Sequence, residues 1–217
     1  MQHRFGRGLF LLGLGLLLVA CRNVAPGNPA AGDVAFQDDF SDPLSGQWQL
    51  EGDQLGQTAI VDGRLLLAVN TPATVQYVTL ENQVFSDFIV EVDATQVGGS
   101  AGSSYGLLLR MAAQGQFYRF EITGNGEYVV ERHDGPANWV RLTDDWQSSD
   151  AILRGTDVTN HLRVIAAGGT FSFYVNDTLL AQIADNTYAA GAIALDAGTF
   201  NQSELQVAFD NLVINIP

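Results

Sequence analysis

The polar chemistry of this 217-residue chain concentrates between Arg110 and His133. The pair Asn125-Gly126 predicts a hairpin closed by a two-residue loop. That register sets Arg119 opposite Arg132, Glu121 opposite Val130 and Thr123 opposite Tyr128 on one face, with Tyr118, Phe120, Ile122 and Val129 on the other. Arg110, on the preceding strand, joins the polar side. Three guanidinium groups, the Glu121 carboxylate and the Tyr128 phenol then form a flat hydrogen-bonding surface that suits a sugar. Like charges directly opposed destabilise a sheet, so Arg119 and Arg132 invite either Glu121 or an external polar ligand between them. The alternative is an internal ion-pair ladder on the outside of the sheet.

Other motifs carry less. Gly98-Gly99-Ser100-Ala101-Gly102 fits Gly-x-Ser-x-Gly, but a nucleophile elbow needs a strand-to-helix turn, and both flanks here read as strands. Trp139 and Trp146 bracket Arg141, Asp144 and Asp145 in a loop-rich rim where a sugar could stack, although sandwich cores also take Trp. His133 and His161 are far apart in the chain, and a lone strand His is usually a surface polar residue. All ten basic residues are Arg and none is Lys, which removes Schiff-base chemistry and phosphate-loop nucleotide binding. The net charge of −14 argues against nucleic acid, which takes clustered cations. A single Cys excludes a disulfide framework.

That Cys is Cys21. His3, Arg4 and Arg7 precede an uncharged apolar run from Gly8 to Ala20, shorter than the roughly 20 residues a membrane-spanning helix needs and matching a signal h-region. The run ends in Leu18-Val19-Ala20-Cys21, which resembles the lipobox of bacterial lipoproteins. The resemblance implies cleavage before Cys21 and its acylation, hence a membrane anchor; several acyl chains hold stably where one is marginal. Arg22, where Asp would signal inner-membrane retention in that family, implies an outward-facing location in the bacterial cell envelope, at the outer membrane if one exists. The organisation expected is a signal over 1–20, the lipidated Cys and a Pro/Gly/Ala/Asn tether over 21–33, and one folded domain over 34–217.

Within the domain the period is two. Phe88, Val90, Val92 and Ala94 alternate with Ile89, Glu91, Asp93 and Thr95, as Phe171, Phe173 and Val175 do with Ser172, Tyr174 and Asn176. Turn signals at Asp62-Gly63, Gly124-Asn125-Gly126, Gly168-Gly169 and Asn176-Asp177 punctuate the apolar runs. Only Asp144 to Leu153 suggests a short helix. Ten to fourteen short strands predict an all-β, two-sheet antiparallel sandwich or jelly roll.

Phe36-Gln37-Asp38-Asp39-Phe40 with Trp48, Tyr105 to Arg110, Phe117 to Ile122, Phe173 to Asp177, and Phe209-Asp210-Asn211-Leu212-Val213 together resemble the concanavalin A-like jelly-roll modules of bacterial extracellular proteins. That superfamily includes lectins, laminin-G-like modules, laminarinase-type hydrolases and a 3-keto-glycoside hydrolase group. The resemblance implies that the first and last strands pair, bringing Asp39 near Asp210 as a candidate Ca²⁺ site, since Ca²⁺ prefers carboxylate and carbonyl oxygens; Asp38 and Asp39 also suit turn and capping roles. It further implies a comparison with the laminarinase motif Glu-x-Asp-x-(x)-Glu. Glu91 and Asp93 match its first two positions, but Thr95 or Gln96 stands where the acid should be, and retaining hydrolysis needs both carboxylates. The expected function is therefore non-catalytic binding of carbohydrate or another envelope polymer. A glycoside-cleaving enzyme of the 3-keto type and a purely structural or adhesive module are the alternatives.

Overall fold

A computed structural model describes residues 32–44, 46–112 and 115–217; the signal, Cys21 and most of the tether lie outside the described residues. Among these the chain forms fifteen strands and no helix, one strand beyond the expected range. Eight of them build one antiparallel sheet. Its order is β13 (Thr178–Ala184), β12 (Thr170–Val175), β11 (Thr159–Ala167), β5 (Phe88–Gly98), β15 (Leu205–Asn215), β3 (Arg64–Val69) and β2 (Gly56–Val61), with β1 (Val34–Asp38) also paired to β15. Seven build the other, in the order β10 (Gln147–Ser148), β8 (Glu127–Asp134), β7 (Gln116–Thr123), β6 (Ser104–Ala112), β14 (Ala192–Gly198) and β4 (Val75–Thr79), with β9 (Trp139–Arg141) beside β8. This is the expected two-sheet jelly roll.

The alternating residues explain the stacking. Phe88, Val90, Val92 and Ala94 of β5 are buried, as are Phe171, Phe173 and Val175 of β12. They meet Tyr118, Phe120 and Ile122 of β7 and Leu107 and Leu109 of β6 from the facing sheet. Tyr118 packs on Phe171 with ring centroids 4.6 Å apart, and Phe120 on Phe173 at 5.1 Å. Tilted contacts of this kind contribute about 0.5–1.5 kcal/mol beyond area burial.

Three of the four turn signals close as two-residue hairpins. Val61 pairs with Arg64 around Asp62-Gly63, Ala167 with Thr170, and Val175 with Thr178. Asp62, Gly63, Asn176 and Asp177 all take positive φ, as a type I′ turn demands. The fourth differs. Gly126 alone adopts φ +87 there, its N–H bonds to the Thr123 carbonyl at 3.0 Å, and the loop holds Gly124, Asn125 and Gly126. One extra loop residue slides the register by one, so Arg119 faces Glu131 and Tyr118 faces Arg132.

The segment expected as a short helix, Asp144 to Leu153, is not helical. It contributes β10, and the Asn160 and Asn176 side chains take its backbone groups. Asn160 accepts from Leu153 N–H at 2.8 Å and donates to Leu153 O at 3.0 Å, and Asn176 donates to Ala151 O. Side-chain amides here replace the hydrogen bonds that a helix would make for itself.

Candidate functional site

The outer face of the seven-stranded sheet carries a buried charge cluster. Arg119 on β7 bonds through Nε to Asp196 on β14 at 2.9 Å, and through its other arm to Glu121, which accepts from Ser104 at 2.7 Å. Asp196 and Glu121 lie in one transverse row across the sheet, on either side of Gly106. Asp196 is 0% exposed, Glu121 1% and Arg119 7%, and Asp196 Oδ1 has no hydrogen-bond partner. One cation cannot neutralise two buried carboxylates. Burial, opposed by the Arg119 charge and aided by the Asp196 charge, pushes Glu121 up to about 8, and burial also raises Asp196. Burial thus favours the protonated form of both carboxyls, which titrate as a pair.

Aromatic rings stand around this cluster. Trp139 on β9 is 43% exposed. Its ring lies under the Arg119 guanidinium at 5.4 Å and against His133 at 4.4 Å, and His133 stacks on Phe117 at 4.9 Å. At the opposite edge Tyr77 on β4, paired with Asp196, is 46% exposed. Five strand spacings separate β4 from β9, a width of about 24 Å. Trp146, just before β10, and Phe200, just after β14, meet edge to face at 6.0 Å. Their strands are separated by β8, β7 and β6, so the rings reach toward each other across the outer face.

The five residues expected to share one surface do not. The register slip turns Tyr128 and Arg132 to the inner side of the sheet, because a shift of one residue exchanges the faces of a strand. Tyr128 donates its hydroxyl to the Leu180 carbonyl of the other sheet at 2.9 Å. Arg132 bonds to Asp134 at 2.7 Å and pairs with Asp185. Tyr118 donates to Asp185 at 2.6 Å and Tyr188 to Asp134 at 2.6 Å. Asp134 falls to about 2, held by its hydrogen bonds from Arg132 and Tyr188. Arg110 has also left the polar face. A register irregularity separates Leu109 from Ala112, and Arg110 takes φ +48, which turns its side chain inward. It is 1% exposed, donates to the carbonyls of Ser86, Tyr188 and Gly168 at 2.9, 3.0 and 2.8 Å, and lies 4.7 Å over Phe171. Arg119 and Glu121 remain together, and they realise the ion-pair alternative. Asp196, which the sequence reading missed, completes them.

The β1–β15 pairing occurs, with Asp38 opposite Leu212. A cavity of about 330 Å³ there is lined by Gln37, Asp38, Asp39, Asn211, Leu212 and Val213. Asp38 accepts from the Trp48 indole at 2.9 Å and from Phe40 N–H at 2.7 Å. Asp39 accepts from Ser41 N–H at 3.1 Å, and its hydrogen bonds with Ser41 lower its carboxyl below the usual range. Asp210 accepts from Asn211 N–H at 2.8 Å. Apart from the Trp48 indole these are turn bonds, and no group of three metal-ligating side chains gathers among the described residues.

Glu91 and Asp93 share the outer face of the eight-stranded sheet. Asp93 bonds to His161 at 2.8 Å and to Asn211 at 3.0 Å, and Glu91 lies 3.6 Å from Arg163. Gln96 is buried, with its amide on the Ser100 carbonyl at 2.9 Å. Ser100 lies in a strand-to-strand turn, which is not the setting of a nucleophile elbow.

No family model and no curated protein sequence matches this chain. Solved structures do. A carbohydrate-binding module, CBM66 from Bacillus subtilis, superposes with TM-score 0.63 at 16% identity, over 78% of this chain and 95% of that one. A Bacillus subtilis protein of unknown function with a galectin-like fold gives 0.63 at 14%, over 86% and 97%. The laminarinase catalytic domain of Thermotoga maritima gives 0.61 at 10%, over 87% and 99%. At these identities the likeness shows the fold alone, a two-sheet jelly roll.

Proposed function

We propose that this protein binds glycan chains, without cleaving them, while held at the outer side of a bacterial envelope by a lipid on Cys21. The carrying observation is the outer face of the seven-stranded sheet, where Trp139 and Tyr77 stand exposed at opposite edges of a buried charge cluster. Rings spaced across a sheet suit an extended oligosaccharide, whose pyranose faces stack on them. Arg119 acts there through Trp139, which it holds in place. Among the solved structures of this fold are a carbohydrate-binding module and laminarinase catalytic domains, which supports a glycan as the ligand class. A glycan array decides the matter: Trp139→Ala and Tyr77→Ala should each lose binding to any glycan that the parent retains. Unchanged binding by both variants overturns this surface, and an empty array overturns the glycan.

One observation favours a second reading, a glycoside-cleaving enzyme. Glu121, raised to about 8 by burial, stands in one sheet row with Asp196, and paired carboxyls are the groups that glycoside hydrolysis uses. Release of new reducing ends from an array hit, lost in Glu121→Gln, would establish it. Two further parts of the proposal have direct tests. Cys21→Ala should abolish acyl labelling, and equal labelling removes the anchor. Calcium between Asp39 and Asp210 should make the melting temperature fall on adding chelator, and an unchanged melt removes the ion.

A further inference from the structure

The end of the sandwich formed by the β5–β6 and β14–β15 connections carries polar groups that the fold does not use. Two adjoining cavities of about 380 and 370 Å³ open there, sharing Ser100 and Gln202. The first is lined also by Gly98, Gly99, Ser203, Glu204 and Gln206, and the second by Gly102, Ser103, Phe200 and Asn201. The connections are locked together: Gln206 pairs with Gly98, and a Cβ on Gly99 would lie 2.0 Å from the Glu204 carbonyl oxygen. Only glycine permits that approach, and Gly99 takes φ +91.

Several amide side chains are taken up by the fold, as at Asn160, Asn176, Gln182 and Asn211. Asn201, Gln202 and Ser203, by contrast, make no side-chain hydrogen bond within the described residues. Beside them Phe200 is 46% exposed and stands edge to face with Trp146. A cluster of unused donors and acceptors around an exposed ring face is what a sugar requires: the ring takes the C–H face of a pyranose, and the amides take its hydroxyls. The charge is equally informative. No Arg lines either cavity, and Glu204 is the sole charged residue in their linings.

We propose that this end of the molecule is a second glycan subsite, with Phe200 as platform and Asn201 and Gln202 as hydrogen-bonding arms, that holds a single uncharged sugar unit at a chain end. It rests on the glycan-binding reading above but on neither Trp139 nor Tyr77.

The test is titration of the ¹⁵N-labelled full chain, kept soluble in detergent, with the methyl glycosides of glucose, galactose, mannose and N-acetylglucosamine, and with glucuronic acid as the charged comparison. A neutral glycoside should shift the Trp146 indole and the Asn201 and Gln202 side-chain amides, and Phe200→Ala should weaken that binding at least about tenfold. Asn201→Ala with Gln202→Ala should do the same at an unchanged melting temperature. Shifts confined to Trp139 and its neighbours would overturn this subsite and leave the sheet face standing. Shifts nowhere would overturn this subsite, while the sheet face stands or falls with the glycan array. Equal or tighter binding of glucuronic acid would overturn the uncharged ligand.

Discussion

Arg119 faces two acids with one positive charge, and the stability of the protein should register that imbalance. Glu121 is raised to about 8 by burial, and Asp196 is raised in the same direction. A raised carboxyl stabilises the fold below its ordinary pKa and loses that contribution as pH climbs toward the folded value. The melting temperature should therefore decline between about pH 5 and pH 8, and Glu121→Gln should flatten the slope; a parent curve level across that window would show that no proton is held. Asp134, at about 2, acts oppositely, and its contribution is lost only on acidification below the ordinary aspartate range. Arg119→Ala leaves the buried acids without their cation, a loss of about 3–5 kcal/mol. Arg163, a partly exposed neighbour of Glu91 and Asp177, should cost about 0–1 kcal/mol when replaced by Ala. Denaturant melts of the two variants compare them directly, and equal losses would mean that the cluster is not what holds β7 to β14.

At the scale of elements, two local departures decide which side chains reach which face. The irregularity in β6 turns Arg110 inward, where it fastens three connections through their carbonyls. Arg110→Leu would strand those acceptors at no less than about 1 kcal/mol each, and thermal melts should fall by at least roughly 6–12 °C. Gly99→Ala should force apart the β5–β6 and β14–β15 connections and lower the melt, whereas Gly63→Ala, with open space around its Cβ, should cost only its strained φ, about 1 kcal/mol. The alternation of Phe88 to Ala94 and the turns at Asp62-Gly63 and Asn176-Asp177 made the sandwich legible in the sequence, because period and turn chemistry are local. The positions of Tyr128 and Arg132 were not legible. Asn-Gly fits both a two-residue loop and the end of a three-residue one, and the choice exchanges the faces of the strand. Asp196 left one signal, a lone acid in the apolar run Ala192 to Gly198. Such a residue must be paired if buried, yet its partner stands 77 residues away.

For the whole molecule the distribution of charge matters more than its total of −14. Arg110, Arg119, Arg132, Arg141, Arg154 and Arg163 all pair with acids, leaving Arg64 as the described Arg without such a partner. Among the described residues the surface thus offers carboxylates, amides and rings, and almost no free cation. Binding of a neutral glycan should change by less than about twofold between low and high salt, since screening acts only on charge. A steep loss of affinity with salt would instead reveal an ionic ligand.

The first described residue lies at one end of the β5–β15 pair, where Gly32 N–H bonds to the Ile216 carbonyl, while Gly98 and Gln206 lie at the other. Eleven residues of β5 and of β15 run between these ends, about 36 Å of extended chain. A polymer held at the far end and a chain leaving from Gly32 would pull along the strands, not across them. In that direction the hydrogen bonds joining β15 to β1 and β5 share the load and must slide together, where a sideways pull would part them one by one. The jelly roll is therefore arranged to carry tension lengthwise, as a mooring line would need from its cleat.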